Sequence, residues 1–171
     1  MIFITGDTHG SFEQVKTFCR RFQTSQDDIL IILGDAGINF SGKRYDSPKK
    51  CLLKSLPITI FAIHGNHEQR PYTIDSHKEK LWRGGTVFYE EEYPSILFAK
   101  DGEIFDLNGR RTVVIGGAYS IDKAIRLAHG WGWWEDEQPS EEIKRYVEQQ
   151  LDKFDWKIDV VLRALSYGKE D

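Results

Sequence analysis

The chain has 171 residues, 40% of them hydrophobic and 29% charged, and its 23 basic against 27 acidic side chains leave a formal charge of −4. A chain near this length buries roughly two-thirds of its unfolded surface, so it can hold a core without disulfides or a structural metal. This composition excludes a disordered or fibrous chain, and the acidic balance without any basic run argues against nucleic acid as a partner. Cys19 and Cys51 form no CxxC pair, which predicts a reduced, cytoplasmic protein. The apolar opening Met1-Ile2-Phe3-Ile4 is too short for a leader core, and no later run reaches membrane-spanning length, so no membrane partner is expected.

In chain order, Met1–Thr5 reads as a buried strand ending at Gly6. Ser11 opens a helical pattern in which Phe12, Val15, Phe18, Cys19 and Phe22 recur at helical spacing, with Gln14 as its capping-box partner. Ile29–Leu33 is a second buried strand ended by Gly34. A short helix is predicted over Lys49–Leu56, stopped by Pro57, and Ile58–Ile63 is a third strand, ended by Gly65. Short strands are expected at Thr86–Tyr89, Ile96–Ala99, Glu103–Leu107 and Arg111–Ile115, as an antiparallel stretch or second sheet. Asn108-Gly109 supplies a two-residue hairpin turn. A short helix around Ile121–Ala128, a helix from about Ser140 to Phe154 and an apolar strand over Lys157–Leu162 complete an α/β chain read as one domain over residues 1–171.

Three times, a buried strand runs into a Gly-containing polar loop, where parallel α/β sheets place their ligands. The loops read Gly6-Asp7-Thr8-His9-Gly10, Gly34-Asp35-Ala36-Gly37-Ile38-Asn39 and His64-Gly65-Asn66-His67-Glu68. Carboxylate, amide and imidazole ligands suit divalent first-row metals such as Mn, Fe, Zn or Ni. Taken singly, Asp7 and His9 read as a strand-end turn, and Asp35, Asn66 and His67 as turn residues satisfying backbone donors. Three such loops in order after strands point instead to one site.

The D-x-H, G-D and G-N-H-[DE] blocks over residues 6–68 resemble the calcineurin-like metallophosphoesterases, Gly116-Gly117-Ala118-Tyr119-Ser120 resembles strand-end loops of their small bacterial or phage members, and the element order is similar to the family's through about residue 162. The resemblance implies a β-sandwich of two mixed sheets flanked by helices and two divalent metal sites. It makes Asp7 and His9 ligands of the first metal, Asp35 the bridge and Asn66 a ligand of the second. His67, oriented by Asp7 or Glu68, would meet the phosphate with Asn66 and assist the leaving oxygen. The implied reaction is hydrolysis of a small phosphate mono- or diester by a metal-bound hydroxide.

Two departures follow. Where protein phosphatases of this superfamily carry Asp-Arg in the second loop, this chain has Ala36-Gly37-Ile38-Asn39, which leaves Arg126 as the candidate phosphate-binding cation. The family's late strand is followed by a ligand His, and a G-H-x-H block comes after it. Here Asp159-Val160-Val161-Leu162 runs into Arg163-Ala164 and an unrelated tail to Asp171. The expectation is a C-terminally truncated fold with a weakened second metal site and impaired turnover. A rival reading is a catalytically degenerate binding or assembly module, forming a homo-oligomer through the exposed edge of Lys157–Leu162. His64 reads as a structural strand-end residue, His77 and His129 as solvated, Glu90-Glu91-Glu92 as a solvated face, and Trp131, Trp133 and Trp134 as core or edge cover.

Overall fold

Continuous apolar runs at the middle of the chain form strands buried on both faces, and their period of two divides the residues between two cores. Leu30 and Ile32 face one core and Ile29 and Ile31 the other; Ile60 and Ala62 divide from Phe61 and Ile63 in the same way. The computed structural model describes residues 1–164. Along it run β1 (Ile2–Thr5), α1 (Glu13–Phe22), β2 (Ile29–Leu33), α2 (Lys43–Lys54), β3 (Thr59–Ile63), β4 (Lys78–Trp82), β5 (Gly85–Tyr89), β6 (Ile96–Ala99), β7 (Ile104–Leu107), β8 (Arg110–Ile115), α3 (Lys123–His129), α4 (Glu141–Asp152) and β9 (Val160–Arg163).

These strands make two mixed sheets. The first has the order β1-β2-β3-β6-β5-β4, parallel from β1 through β6 and antiparallel beyond; the second, β7-β8-β9, pairs β7 with β8 antiparallel and β8 with β9 parallel. On the outer face of the first sheet, Phe12, Val15 and Cys19 of the α1 region and Leu53 of α2 pack on Leu30, Ile32 and Ile60. Between the sheets lie Phe61, Leu97, Phe105, Val114 and Leu162, with Phe61 5.0 Å from the rings of both Trp82 and Phe105. Each such buried side chain stabilises the fold by about 1.5–3 kcal/mol.

Several sequence expectations are corrected. Ser11 does not cap α1: its N–H turns back to the Thr8 carbonyl (2.8 Å), and Phe12 occupies the N-cap position without a side-chain hydrogen bond. By contrast, the Ser140 side chain does accept from Ile143 N–H at the start of α4. The second helix begins at Lys43 rather than Lys49, because buried Asp46 accepts the N–H groups of Phe40 and Ser41 and closes the preceding loop; Pro48 lies inside it. The short middle strands divide between the sheets instead of forming one. β4 has no counterpart in the sequence reading, because Lys78, Glu79 and Lys80 mask it as a polar loop; it is an edge strand, where such charges block further pairing. The Asn108-Gly109 hairpin forms as expected, both residues taking positive φ. β9 lies at the margin of its sheet, with no partner strand on its outer side among the described residues, and residues 165–171 of the tail lie outside them.

His77 and Glu90 are also not solvated. The His77 ring lies 5.2 Å from that of Phe98 with both nitrogens buried and unpartnered, beside Glu90, which pairs with Lys50 at 2.5 Å. Burial, with Lys50 adding to it and Glu90 opposing, pushes the His77 pKa from 6.5 down to about 4. Because the folded value lies below the unfolded one, the contribution to stability is present above about pH 6.5 and is lost as pH falls from 6.5 towards 4. Urea unfolding across that window should show a loss on the order of a few kcal/mol. His77→Phe should flatten the curve, and a variant curve parallel to wild type would refute the assignment. His129 is exposed, as expected.

Candidate metal centre

Parallel pairing brings the carboxyl ends of β1, β2 and β3 side by side, and backbone hydrogen bonds then tie the three following loops together. Thr8 and His9 donate their N–H groups to the Asp35 carbonyl (3.3 and 2.8 Å), and Gly10 N–H donates to Ala36 (2.9 Å). His67 N–H donates to Asp35 Oδ1 (2.8 Å), and Gln69 N–H to the Asn39 carbonyl (2.8 Å). His9 (φ +46°) and Asp35 (φ +34°) sit in the left-handed region, a conformation that costs each residue on the order of 1 kcal/mol or more. That strain is held by the loop-to-loop bonds just described. Glycine is required at Gly65, where an added Cβ would stand 2.0 Å from Asp35 Oδ1 and 2.2 Å from Asp35 N.

The three loops therefore converge. One ligand atom from each of Asp7, His9 and Asp35 lies within 4.8 Å of the other two, the one such acid and histidine cluster among the described residues. Asp35 is buried at 4% exposure, whereas Asp7 and His9 open to solvent. Burial, and then the Asp35 charge, raise the Asp7 carboxyl above its ordinary range against the pull of His9 and His67. Burial would also raise Asp35, but hydrogen bonds from His67 outweigh it and hold that carboxyl down. Two carboxylates crowded in a partly dry cleft repel one another unless a cation lies between them. Two oxygens and one imidazole nitrogen at this separation fit a divalent first-row metal.

Asn66 is buried, and its amide N–H donates to Ser120 Oγ (2.9 Å), so Oδ1 is the atom that could hold an ion. His67 is not oriented by Asp7 or Glu68. Its Nδ1 lies 3.1 Å from Asp35 Oδ2, and its Nε2 stands 3.5 Å from Asp122 Oδ1. The Asp35 hydrogen bond, opposed by burial, raises the His67 pKa above its ordinary value. Glu68 instead turns inward and accepts from the N–H groups of Gly65 (3.0 Å) and Gly37 (3.4 Å); burial raises its pKa to about 7. Arg126 reaches the site, with Nη2 3.3 Å from His67 Nδ1.

Ser120 and Asp122 were missed by the sequence reading. Asp122 and Arg126 carry a local signal, opposite charges four apart at the start of a helix, and Ser120 ends the Gly116-Gly117-Ala118-Tyr119-Ser120 loop, whose resemblance gave no single residue a role. His64 is buried with both ring nitrogens unpartnered, and burial holds it neutral, as a structural residue. Of the tryptophans, Trp134 packs edge-on against Phe40 and Trp133 Nε1 donates to Glu137, while Trp131 is exposed. β9 delivers Ala164 to the same place: a point beside Gly34 lies 3.1 Å from the Ala164 Cβ and 3.2 Å from Asp7 Oδ1.

A family model of calcineurin-like phosphoesterases matches residues 1–164. Over 120 residues, 70% of this chain, the sequence is 26% identical to an uncharacterized protein of Haemophilus influenzae, and the chain spans 43% of that relative's length. The crystal structure of a protein of unknown function from Aquifex aeolicus aligns over 99% of this chain and 81% of that one, at 15% identity and a TM-score of 0.44.

Proposed function

Because the chain belongs to the calcineurin-like phosphoesterase family, we propose that it is a metal-dependent hydrolase of small phosphate mono- or diesters acting as a single domain. The convergence of Asp7, His9 and Asp35 at the ends of three parallel strands carries this reading. Asp7, His9 and Asp35 hold one divalent ion, Mn, Fe, Zn or Ni, and Asp35 with Asn66 Oδ1 supplies part of a second site. When bound, such an ion supplies Lewis acidity to phosphate oxygens and brings the pKa of water towards neutrality.

The other steps belong to the chain's own residues. Arg126, already within reach of His67, offers its remaining N–H groups to phosphoryl oxygens in a planar fork that suits them. His67, with Nδ1 facing Asp35 and Nε2 facing Asp122, is the residue assigned to protonate the departing alcohol oxygen. Hydrogen bonds from Gly65, Gly37 and His67 hold the loops in register while this occurs.

The second site is the weaker one. Ala164, which like Asp7 borders Gly34, is one of the two positions after Leu162 where the resemblance places a ligand imidazole. Titration calorimetry with manganese should therefore find one tighter and one weaker ion. Ala164→His should tighten the weaker by about tenfold or more, the scale on which single groups tune metal affinity. Parallel assays with p-nitrophenyl phosphate and bis(p-nitrophenyl) phosphate then assign monoester or diester preference. Two equally tight ions in the wild-type protein would overturn the assignment of Ala164.

A further inference from the structure

We propose that Asp122 is the positioning residue of this centre: it locks His67 and Arg126 into one unit facing the bound phosphoryl group, and this rests on the phosphoesterase reading above. Asp122 precedes α3, outside the three strand-end loops. Its Oδ2 accepts from Arg126 Nε (2.8 Å), and its Oδ1 stands 3.5 Å from His67 Nε2. Both Oδ1 and Nε2 are buried without a hydrogen-bond partner, and they face each other across that 3.5 Å gap. Arg126 Nη2 also lies 3.3 Å from His67 Nδ1, the nitrogen that faces Asp35 Oδ2, and its Nη1 donates to the Gly132 carbonyl (3.2 Å).

The packing of α3 makes this unit matter. None of its residues is buried, and Ile125 and Leu127 are exposed, so no apolar core anchors the helix. What holds it over the centre is the Asp122–Arg126–His67 unit, together with Lys123 lying 4.1 Å above the Trp133 ring. The Asp122 charge also partly cancels that of Arg126. Asp122 therefore adds nothing to ground-state attraction for a phosphate anion, and its contribution is orientation. Loss of Asp122 lowers kcat, whereas loss of Arg126 raises KM, a split that general loosening of the fold does not produce.

The test uses the full chain loaded with manganese and bis(p-nitrophenyl) phosphate as substrate. Asp122→Asn should lower kcat by about tenfold to a hundredfold, the lower range for a positioned proton donor, with KM unchanged or reduced. Arg126→Gln should raise KM. Since α3 buries no side chain, the Asp122→Asn melting temperature should stay within about 3 °C of wild type. In the metal-free protein, the ring C–H resonances of His67 should shift in Asp122→Asn while those of His9 stay in place. Wild-type kcat in the variant, a parallel rise in KM, or an unmoved His67 ring would overturn the inference while leaving the hydrolase reading intact. No hydrolysis of either bis(p-nitrophenyl) phosphate or p-nitrophenyl phosphate by the wild-type protein would overturn both.

Discussion

Asp35→Asn should abolish tight metal binding and lower phosphoester hydrolysis by at least about a hundredfold, since even groups that only support a metal ligand are worth 10–100-fold. Asp35 sits where the three loops cross. Its carbonyl accepts from Thr8 and His9, and its carboxylate accepts from His67 N–H and faces His67 Nδ1. It is also the least exposed member of the Asp7–His9–Asp35 cluster. Asparagine keeps the size and one acceptor oxygen, so the loop bonds survive in large part. What goes is the anionic charge and the second ligand oxygen. The metal-free variant should therefore melt near the wild-type temperature, while the rise in melting temperature on adding manganese, which reports binding to the folded state, disappears. Retention of that rise at the wild-type manganese concentration would show that Asp35 is not a ligand.

Gly65→Ala should be the most damaging single methyl added to the site, destabilising the protein by about 3–5 kcal/mol, the upper range for overpacking joined to lost hydrogen bonds. The new Cβ would fall 2.0 Å from Asp35 Oδ1 and 2.2 Å from Asp35 N. Contacts below 3.0 Å with a backbone atom cannot be relieved by a side-chain rotation. Either the second loop moves away from the third, which breaks the His67 to Asp35 bond, or the end of β3 is displaced. Both routes separate Asp35 from Asp7 and His9, so metal affinity should fall along with stability. Gly6→Ala is the control, because an added Cβ there meets nothing within 4 Å. Denaturant unfolding of the two variants measures the difference; equal stability would contradict the loop geometry.

The parts of this centre that were legible in the sequence are those made by consecutive residues. Each strand-end loop carries its own punctuation, an apolar run followed by Gly, Asp, Asn and His, and the central strands Ile29–Leu33 and Ile96–Ala99 end where their apolar runs end. Residues whose role depends on contacts across the fold were not legible. The carboxylate beside His67 was expected from Asp7 or Glu68, its neighbours in motif, yet Glu68 is drawn inward by the N–H groups of Gly65 and Gly37. The carboxylates beside His67 are Asp35, from the second loop at 3.1 Å, and Asp122, on a different element at 3.5 Å. Lys78–Trp82 escaped for a related reason. Its charges suit a sheet margin, and a margin is defined by where other strands lie. Ser11 carried a cap signal that the turn at Thr8 overrode.

Metal analysis of the purified protein by mass spectrometry reads out whether the three strand-end loops form a metal centre. Wild-type protein equilibrated with manganese and passed through a desalting column should retain at least one ion per chain, and Asp35→Asn should retain none. A wild-type protein that retains none, or an Asp35→Asn variant that retains as much as wild type, would contradict the account and leave the family fold serving as a binding or assembly module.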